Sequence, residues 1–338
     1  MDKIYNVVVI GCGHIASAHL DDIYYRENIN IYGVVDIKEE RAHLFKRKYN
    51  ADSYDTNYIK YLKDPLVDIV IICTYPSSHL EILESSLNHN KHVLCEKPIA
   101  TNIDDGTKFL NLVKTSPSKV LVGHILRHNS SYMKIKELID KGILGNPLII
   151  RMIQNHHTMD WEKYLSLIKD TSPIVDCGVH YIDIARWVTS EEITSVSGIC
   201  QRTEPSVPLD KYNYGMINMR LSGGSVAFYE AGWGNTISSN NVKEFIGPKG
   251  RLKLIHQRDR LYNKEEGDLI EYYDYESNKY EMINIHCKCK PTYNQLLMLI
   301  DMIENNIEGT PTMDEVFTSF CISLKAHEAI TENKIINI

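Results

Sequence analysis

Apolar residues in the first third of the chain fall in short unbroken runs. Ile4-Tyr5-Asn6-Val7-Val8-Val9-Ile10 is the first. Ile31-Tyr32-Gly33-Val34-Val35, Asp68-Ile69-Val70-Ile71-Ile72-Cys73, His92-Val93-Leu94-Cys95 and Lys119-Val120-Leu121-Val122 follow. Helical stretches at 38–49, 77–88 and 102–114 separate them. Strands apolar on both faces, alternating with helices, predict a parallel sheet covered on both sides. The rhythm then changes. A helical stretch at 132–141 and the turn Gly145-Asn146-Pro147 lead into strands at 148–154, 195–201, 214–221, 225–231 and 243–246. Turns such as Ser222-Gly223-Gly224 and Gly247-Pro248-Lys249-Gly250 part neighbouring strands, which predicts an open, mostly antiparallel sheet. Two helices, at 292–305 and 313–331, close the chain. The expected organisation is an α/β domain over 1–124 and an α+β domain over 125–338.

Composition narrows the function classes. A chain of 338 residues exceeds one small core and suits two domains. With 43% hydrophobic and 24% charged residues, disordered and collagen-like chains are excluded. The net charge of −7 comes without a basic stripe, which speaks against a nucleic-acid binder. No apolar run approaches the roughly 20 residues needed to span a bilayer. The run at 4–10 is too short for the core of a secretion signal, and no small-residue cleavage site follows it. The eight cysteines, Cys12, Cys73, Cys95, Cys177, Cys200, Cys287, Cys289 and Cys321, include no Cys-x-x-Cys pair. They are expected to be reduced thiols of a cytoplasmic protein.

The strongest local motif is Gly11-Cys12-Gly13-His14-Ile15-Ala16, directly after the first strand. The first glycine permits a tight turn. The second lets a pyrophosphate approach the backbone, and Ala16 lets helix and strand pack closely. The helix N-terminus then offers unpaired N–H groups to the phosphates. Alone the motif carries little, but strand, turn, helix, second strand and acidic end occur here in order. Asp36, at the end of the second strand, suits the adenosine ribose hydroxyls and would repel a 2′-phosphate, favouring NAD. It could equally cap the next helix, and Lys38 and Arg41 leave room for NADP.

Lys97 follows the fourth strand, where open α/β sheets bind ligands, although a solvated lysine is the ordinary alternative. Asp176 and His180 stand four apart and share one face at a helix start. A histidine beside a carboxylate can exchange protons near neutral pH, while a helix cap with a core histidine fits the same spacing. In Asn155-His156-His157 adjacent strand residues point oppositely, so one imidazole could touch substrate while the other is solvated, and an ordinary strand end fits the same residues. Trp233, between Gly232 and Gly234, reads as either a substrate-pocket wall or a sheet-face aromatic. His286-Cys287-Lys288-Cys289 lacks the spacing and second pair of a zinc site, so no metal is expected.

The chain resembles the family of glucose–fructose oxidoreductase and inositol 2-dehydrogenase. The resemblance rests on Gly11-x-Gly13-x-x-Ala16, Asp36, Thr74 with His79, Glu96-Lys97-Pro98, Arg127 and Asp176-x-Gly178-x-His180-x-x-Asp183, with Glu244-Phe245-Ile246-Gly247-x-x-Gly250 and the helix from Tyr293 to Ile303. One departure is Thr74-Tyr75-Pro76, where many members carry Thr-Pro-Asn. The resemblance implies a Rossmann domain joined to an open-sheet substrate domain. It implies hydride transfer between NAD and a secondary hydroxyl of a sugar, cyclitol or nucleotide sugar, with NADP as the other cofactor. His180 would be the base, Lys97 would bind the reacting oxygen, and Asp176 would hold the substrate or orient His180. Gly11, Gly13, His14, Ile15, Asp36, Thr74, His79, Glu96 and Lys97 would line the cofactor, with Arg127 at the substrate; His156 and Trp233 join it only on the reading of the residues themselves. Two rivals share the fold: an NAD-dependent glycosidase and a dinucleotide sensor without chemistry. A homodimer or homotetramer is expected, because the open sheet has a free face.

Overall fold

A computed structural model describes residues 3–158, 160–261 and 266–338. The β-branched run Tyr5–Ile10 forms β1, with Val7, Val8 and Val9 wholly buried, as a strand covered on both faces requires. Next come α1 (His14–Ile23), β2 (Ile29–Val35), α2 (Glu39–Tyr49), β3 (Ser53–Asp55), α3 (Ile59–Leu62), β4 (Ile69–Ile72), α4 (His79–Asn88), β5 (His92–Cys95), α5 (Ile103–Thr115) and β6 (Val120–Val122). The six strands pair in parallel in the order β3-β2-β1-β4-β5-β6. The order reverses between β1 and β4, and their carboxyl ends therefore frame the crevice where such sheets bind ligands. β3 has only three half-buried residues, too short to give a run in the sequence.

The second half holds α6 (Ser130–Asp140), β7 (Ile149–His157), α7 (Trp161–Asp170), α8 (Pro173–Asp176), α9 (Gly178–Thr189), β8 (Ile193–Gln201), β9 (Tyr214–Leu221) and β10 (Val226–Gly234). β11 (Lys243–Gly247), β12 (Gly250–Ile255), β13 (Asp268–Asp274), β14 (Lys279–Ile285), α10 (Thr292–Asn305), α11 (Met313–Thr331) and β15 (Ile336–Asn337) complete it. Its nine-stranded sheet runs β14-β13-β12-β11-β7-β10-β9-β8-β15. Among the described residues only β7 and β10 pair in parallel in it, so the sheet is mostly antiparallel, as expected. Alternate residues such as Ile150, Met152, Ile217, Ala227 and Phe245 face a core shared with Ile182 and Ala185 of α9.

The chain divides into two units. One runs through Ile125 and includes Lys290–Phe317; the other comprises Leu126–Cys289 and Thr318–Ile338. The expected assignment of all of 125–338 to the second domain is thereby corrected. Leu296, Leu299, Ile300 and Met302 of α10 are buried in the same core as β1 and β4, so the apolar stripe of this helix covers the first sheet. No helix among the described residues is long and apolar enough to cross a membrane.

Candidate active site

Gly11 has φ +94, and a Cβ there would lie 2.7 Å from the Cys73 carbonyl oxygen. Only glycine lets the β1–α1 turn pass so close to the end of β4. A Cβ on Gly13 would meet nothing within 4 Å, so this side of the turn is open. α1 begins with no side-chain cap and no acidic residue in its first turn. Its first amides are therefore available to an anion, and the turn fits a dinucleotide pyrophosphate. His14 is exposed at the start of α1, and Ile15 packs half-buried on the core. Buried Asp36 accepts the Cys12 N–H at 2.9 Å through Oδ2 and the Lys38 N–H at 2.8 Å through Oδ1. Each oxygen keeps acceptor capacity for a ribose hydroxyl. The N-cap of α2 is Lys38. Asp36 instead ties the glycine turn to the end of β2.

The ends of β4 and β5 carry the next group. Thr74 Oγ1 accepts a hydrogen bond from Ser78 Oγ at 2.8 Å. His79 is wholly buried, with Nδ1 2.9 Å from the Pro98 carbonyl and Nε2 3.1 Å from the Thr74 carbonyl. Its ring braces two loops, so the direct cofactor contact expected of it becomes a positioning role. Glu96 is buried, with Oε1 2.7 Å from His19 Nε2. Burial pushes its pKa up, but the hydrogen bond and charge of His19, with Lys97 and Lys290, outweigh this and hold the carboxyl below its usual range. A Cβ on Gly123 would lie 3.0 Å from Glu96 Oε2. Glu96 thus anchors the end of β5 from beneath, and Lys97 follows it half-buried, with a cis peptide to Pro98.

In the second unit, Ser172 caps α8 by accepting the Val175 N–H at 3.2 Å, with Pro173 in the first turn. Buried Asp176 ends α8, and Cys177 keeps right-handed helical dihedrals. The helical path therefore continues into α9, and Asp176 and His180 fall on one face. A Cβ on Gly178 would lie 3.3 Å from Tyr229 Cε1, so glycine lets α9 start close against β10. Tyr181 stacks on Tyr229 at 4.6 Å between ring centroids, and Lys243 Nζ stands 4.6 Å from the Tyr181 ring. These contacts fix the turn that carries half-buried His180. Tyr164 of α7 also faces this region: burial first, then the charges of Cys177, Asp176 and Asp160, push its pKa up to about 12.

Arg127 is placed otherwise than expected. Its Nε and Nη2 each lie 2.8 Å from the Asp183 carboxylate, and both side chains are buried. Its guanidinium carbon lies 4.9 Å from the Trp187 ring centroid. A bidentate buried pair commits Nε and Nη2 to Asp183. His156 is half-buried with its ring 6.2 Å from that of Tyr164, while His157 is exposed. Trp233 pairs with His156 in register, meets Tyr164 edge-on at 5.4 Å and is buried with Ile168 and Val207. It is a core aromatic backing the His156 side of the sheet. Sequence reasoning missed His19, the partner of Glu96. A lone histidine inside a helix gives no signal that a carboxylate seventy-seven positions later will meet it.

Two family models match the chain. The "Oxidoreductase family, NAD-binding Rossmann fold" model covers residues 5–124, and the GFO/IDH/MocA C-terminal domain model covers 132–253. A curated relative, myo-inositol 2-dehydrogenase of Thermotoga maritima, is 23% identical over 271 residues, spanning 79% of this chain and 80% of its own. Scyllo-inositol dehydrogenase of Lactobacillus casei, solved with NAD(H) and scyllo-inositol, superposes with TM-score 0.79 at 22% identity, covering 99% of each chain. Aldose-aldose oxidoreductase of Caulobacter crescentus, complexed with glycerol, gives TM-score 0.85 at 18% identity, over 99% of this chain and 100% of its own. Both domains matching in order, with an open dinucleotide turn in the first, the chain belongs to the GFO/IDH/MocA family of NAD-binding oxidoreductases.

Proposed function

We propose that this protein is an NAD-dependent dehydrogenase that oxidises a secondary hydroxyl of a sugar or cyclitol, or reduces the corresponding ketone. The observation that carries the reading is the presence, in one chain, of the open dinucleotide turn and of Lys97, Asp176 and His180. A sensor that merely binds a dinucleotide has no use for a proton-handling group. Relatives named inositol 2-dehydrogenase support the substrate class.

Bound NAD supplies the hydride acceptor. Neutral His180 takes the hydroxyl proton, and Asp176, four positions before it on the same face, orients the imidazole or holds the substrate. The Lys97 ammonium donates to the reacting oxygen and stabilises its developing negative charge. Glu96, held by His19, and Pro98, held by His79, fix the backbone on either side of Lys97. Asp36 favours NAD over NADP by placing a carboxylate where a 2′-phosphate would sit.

The test is nicotinamide reduction with a panel of polyols and sugars. Net formation of reduced nicotinamide supports the dehydrogenase. Glycoside cleavage without net reduction marks the glycosidase, and tight NAD binding with neither marks the sensor.

The open face of the nine-stranded sheet exposes Ile149, Ile199, Val226 and Met282, and supports a homo-oligomer built by packing this face on a second copy. Eight cysteines without a Cys-x-x-Cys pair suit the reducing cytoplasm.

A further inference from the structure

Lys290 stands where the chain re-enters the first unit, two residues before α10. The start of α10 is bolted to α1 and the segment after it. Thr292 Oγ1 lies 3.0 Å from both the Ala18 carbonyl and Asp22 Oδ2, and the Tyr293 N–H donates to Asp22 Oδ2 at 3.0 Å. The Arg26 guanidinium carbon lies 4.1 Å from the Tyr293 ring centroid, and Tyr293 OH donates to Asn28 at 3.2 Å. The Lys290 carbonyl accepts the Thr292 N–H at 2.9 Å, which ties Lys290 to this docked turn.

The exposed Lys290 side chain consequently reaches the N-terminus of α1, with Nζ 3.3 Å from His14 Nε2. An ammonium has only hydrogens to give, so the imidazole nitrogen is the acceptor. His14 directly follows Gly13, on the open side of the dinucleotide turn. A cation at the positive end of a helix is disfavoured. Glu96, the carboxylate whose charge Lys290 also feels, already engages His19. An incoming diphosphate diester reverses the sign of that balance. The turn itself, Gly11-Cys12-Gly13-His14-Ile15-Ala16, contains neither lysine nor arginine.

We propose that Lys290 is a cofactor-binding residue whose ammonium pairs with the pyrophosphate held at the Gly11–Gly13 turn. The return segment thereby supplies the cation that the turn lacks. The assignment rests on the NAD reading of the first unit.

The test measures dissociation constants of NADH by fluorescence, and of ADP-ribose and adenosine by calorimetry, on the full chain. The variants are Lys290→Ala, Lys290→Glu, Lys290→Arg and, as a control on the same segment, Lys288→Ala. Lys290→Ala is expected to weaken NADH and ADP-ribose about tenfold or more, as the loss of one charge-assisted hydrogen bond does. Lys290→Glu weakens them further, Lys290→Arg stays near the parent, and Lys288→Ala changes nothing. Adenosine, which carries no phosphate, binds the parent and Lys290→Ala equally. Parental ADP-ribose affinity in Lys290→Ala overturns the proposal, as does equal weakening of adenosine and ADP-ribose, which marks a distorted turn. A parent chain that binds neither NADH nor ADP-ribose overturns the NAD reading itself, and this assignment with it.

Discussion

His180 is the residue on which the proposed chemistry turns. Loss of a positioned acid–base group typically costs about 100- to 10,000-fold in rate. His180→Ala should therefore lower kcat on that scale while the NADH dissociation constant stays near the parent's, read by steady-state kinetics and fluorescence titration. Glu96 gives a stability prediction. Its folded pKa is depressed, so its contribution is present above the ordinary carboxylate value of 4.5 and is lost as pH falls through the lower folded value. Glu96→Gln should flatten that part of a plot of Tm against pH. Arg127 was legible as a family residue but not in its role, because a sequence cannot show that the fork will be buried on Asp183 fifty-six positions away. Arg127→Ala leaves that carboxylate buried without its fork and should cost about 3–5 kcal/mol of stability. Denaturant unfolding would measure it; an unchanged midpoint with a raised KM would restore the substrate role.

Legibility among the elements followed burial. β1, β4 and β5 were readable because strands covered on both faces become unbroken apolar runs. β14, Lys279-Tyr280-Glu281-Met282-Ile283-Asn284-Ile285, lies at a sheet edge with its first four residues exposed. Only Ile283 and Ile285 pack on the core, an inward stripe too short to mark a strand. α7 carries Trp161, Tyr164, Leu165 and Ile168 at i, i+3, i+4 and i+7 behind its Asp160 cap, so its stripe stood in the sequence and sequence reasoning missed it. The Asp176–His180 turn was readable as a motif, yet the reason for its glycine lies in the packing of α9 on Tyr229. Gly178→Val should push α9 off β10, because the added methyl groups meet a ring already within 3.3 Å of the Cβ position. Overpacking of this kind costs about 1–3 kcal/mol. The expected signature is a fall in kcat and in Tm with NADH binding retained, since the dinucleotide turn belongs to the other unit.

For the whole molecule, the two-unit plan was legible from the change of rhythm near residue 123, but the return of Lys290–Phe317 to the first unit was not. Its helix is amphipathic like any other, and only the core shows that Leu296 and Leu299 pack with β1 and β4. The open face of the second sheet yields a prediction at this scale. Ile149→Arg together with Val226→Glu should shift the mass measured by light scattering from oligomer towards monomer with little change in NADH affinity. A parent that is already monomeric would remove the interface. The reading as a whole stands or falls on hydride transfer. The decisive measurement follows nicotinamide absorbance when the parent, saturated with NAD, is given cyclitols and sugars one at a time. Accumulation of reduced nicotinamide in proportion to a polyol consumed, lost in His180→Ala, is the expected result. Full NAD binding with no reduced nicotinamide from any member of the panel would contradict it.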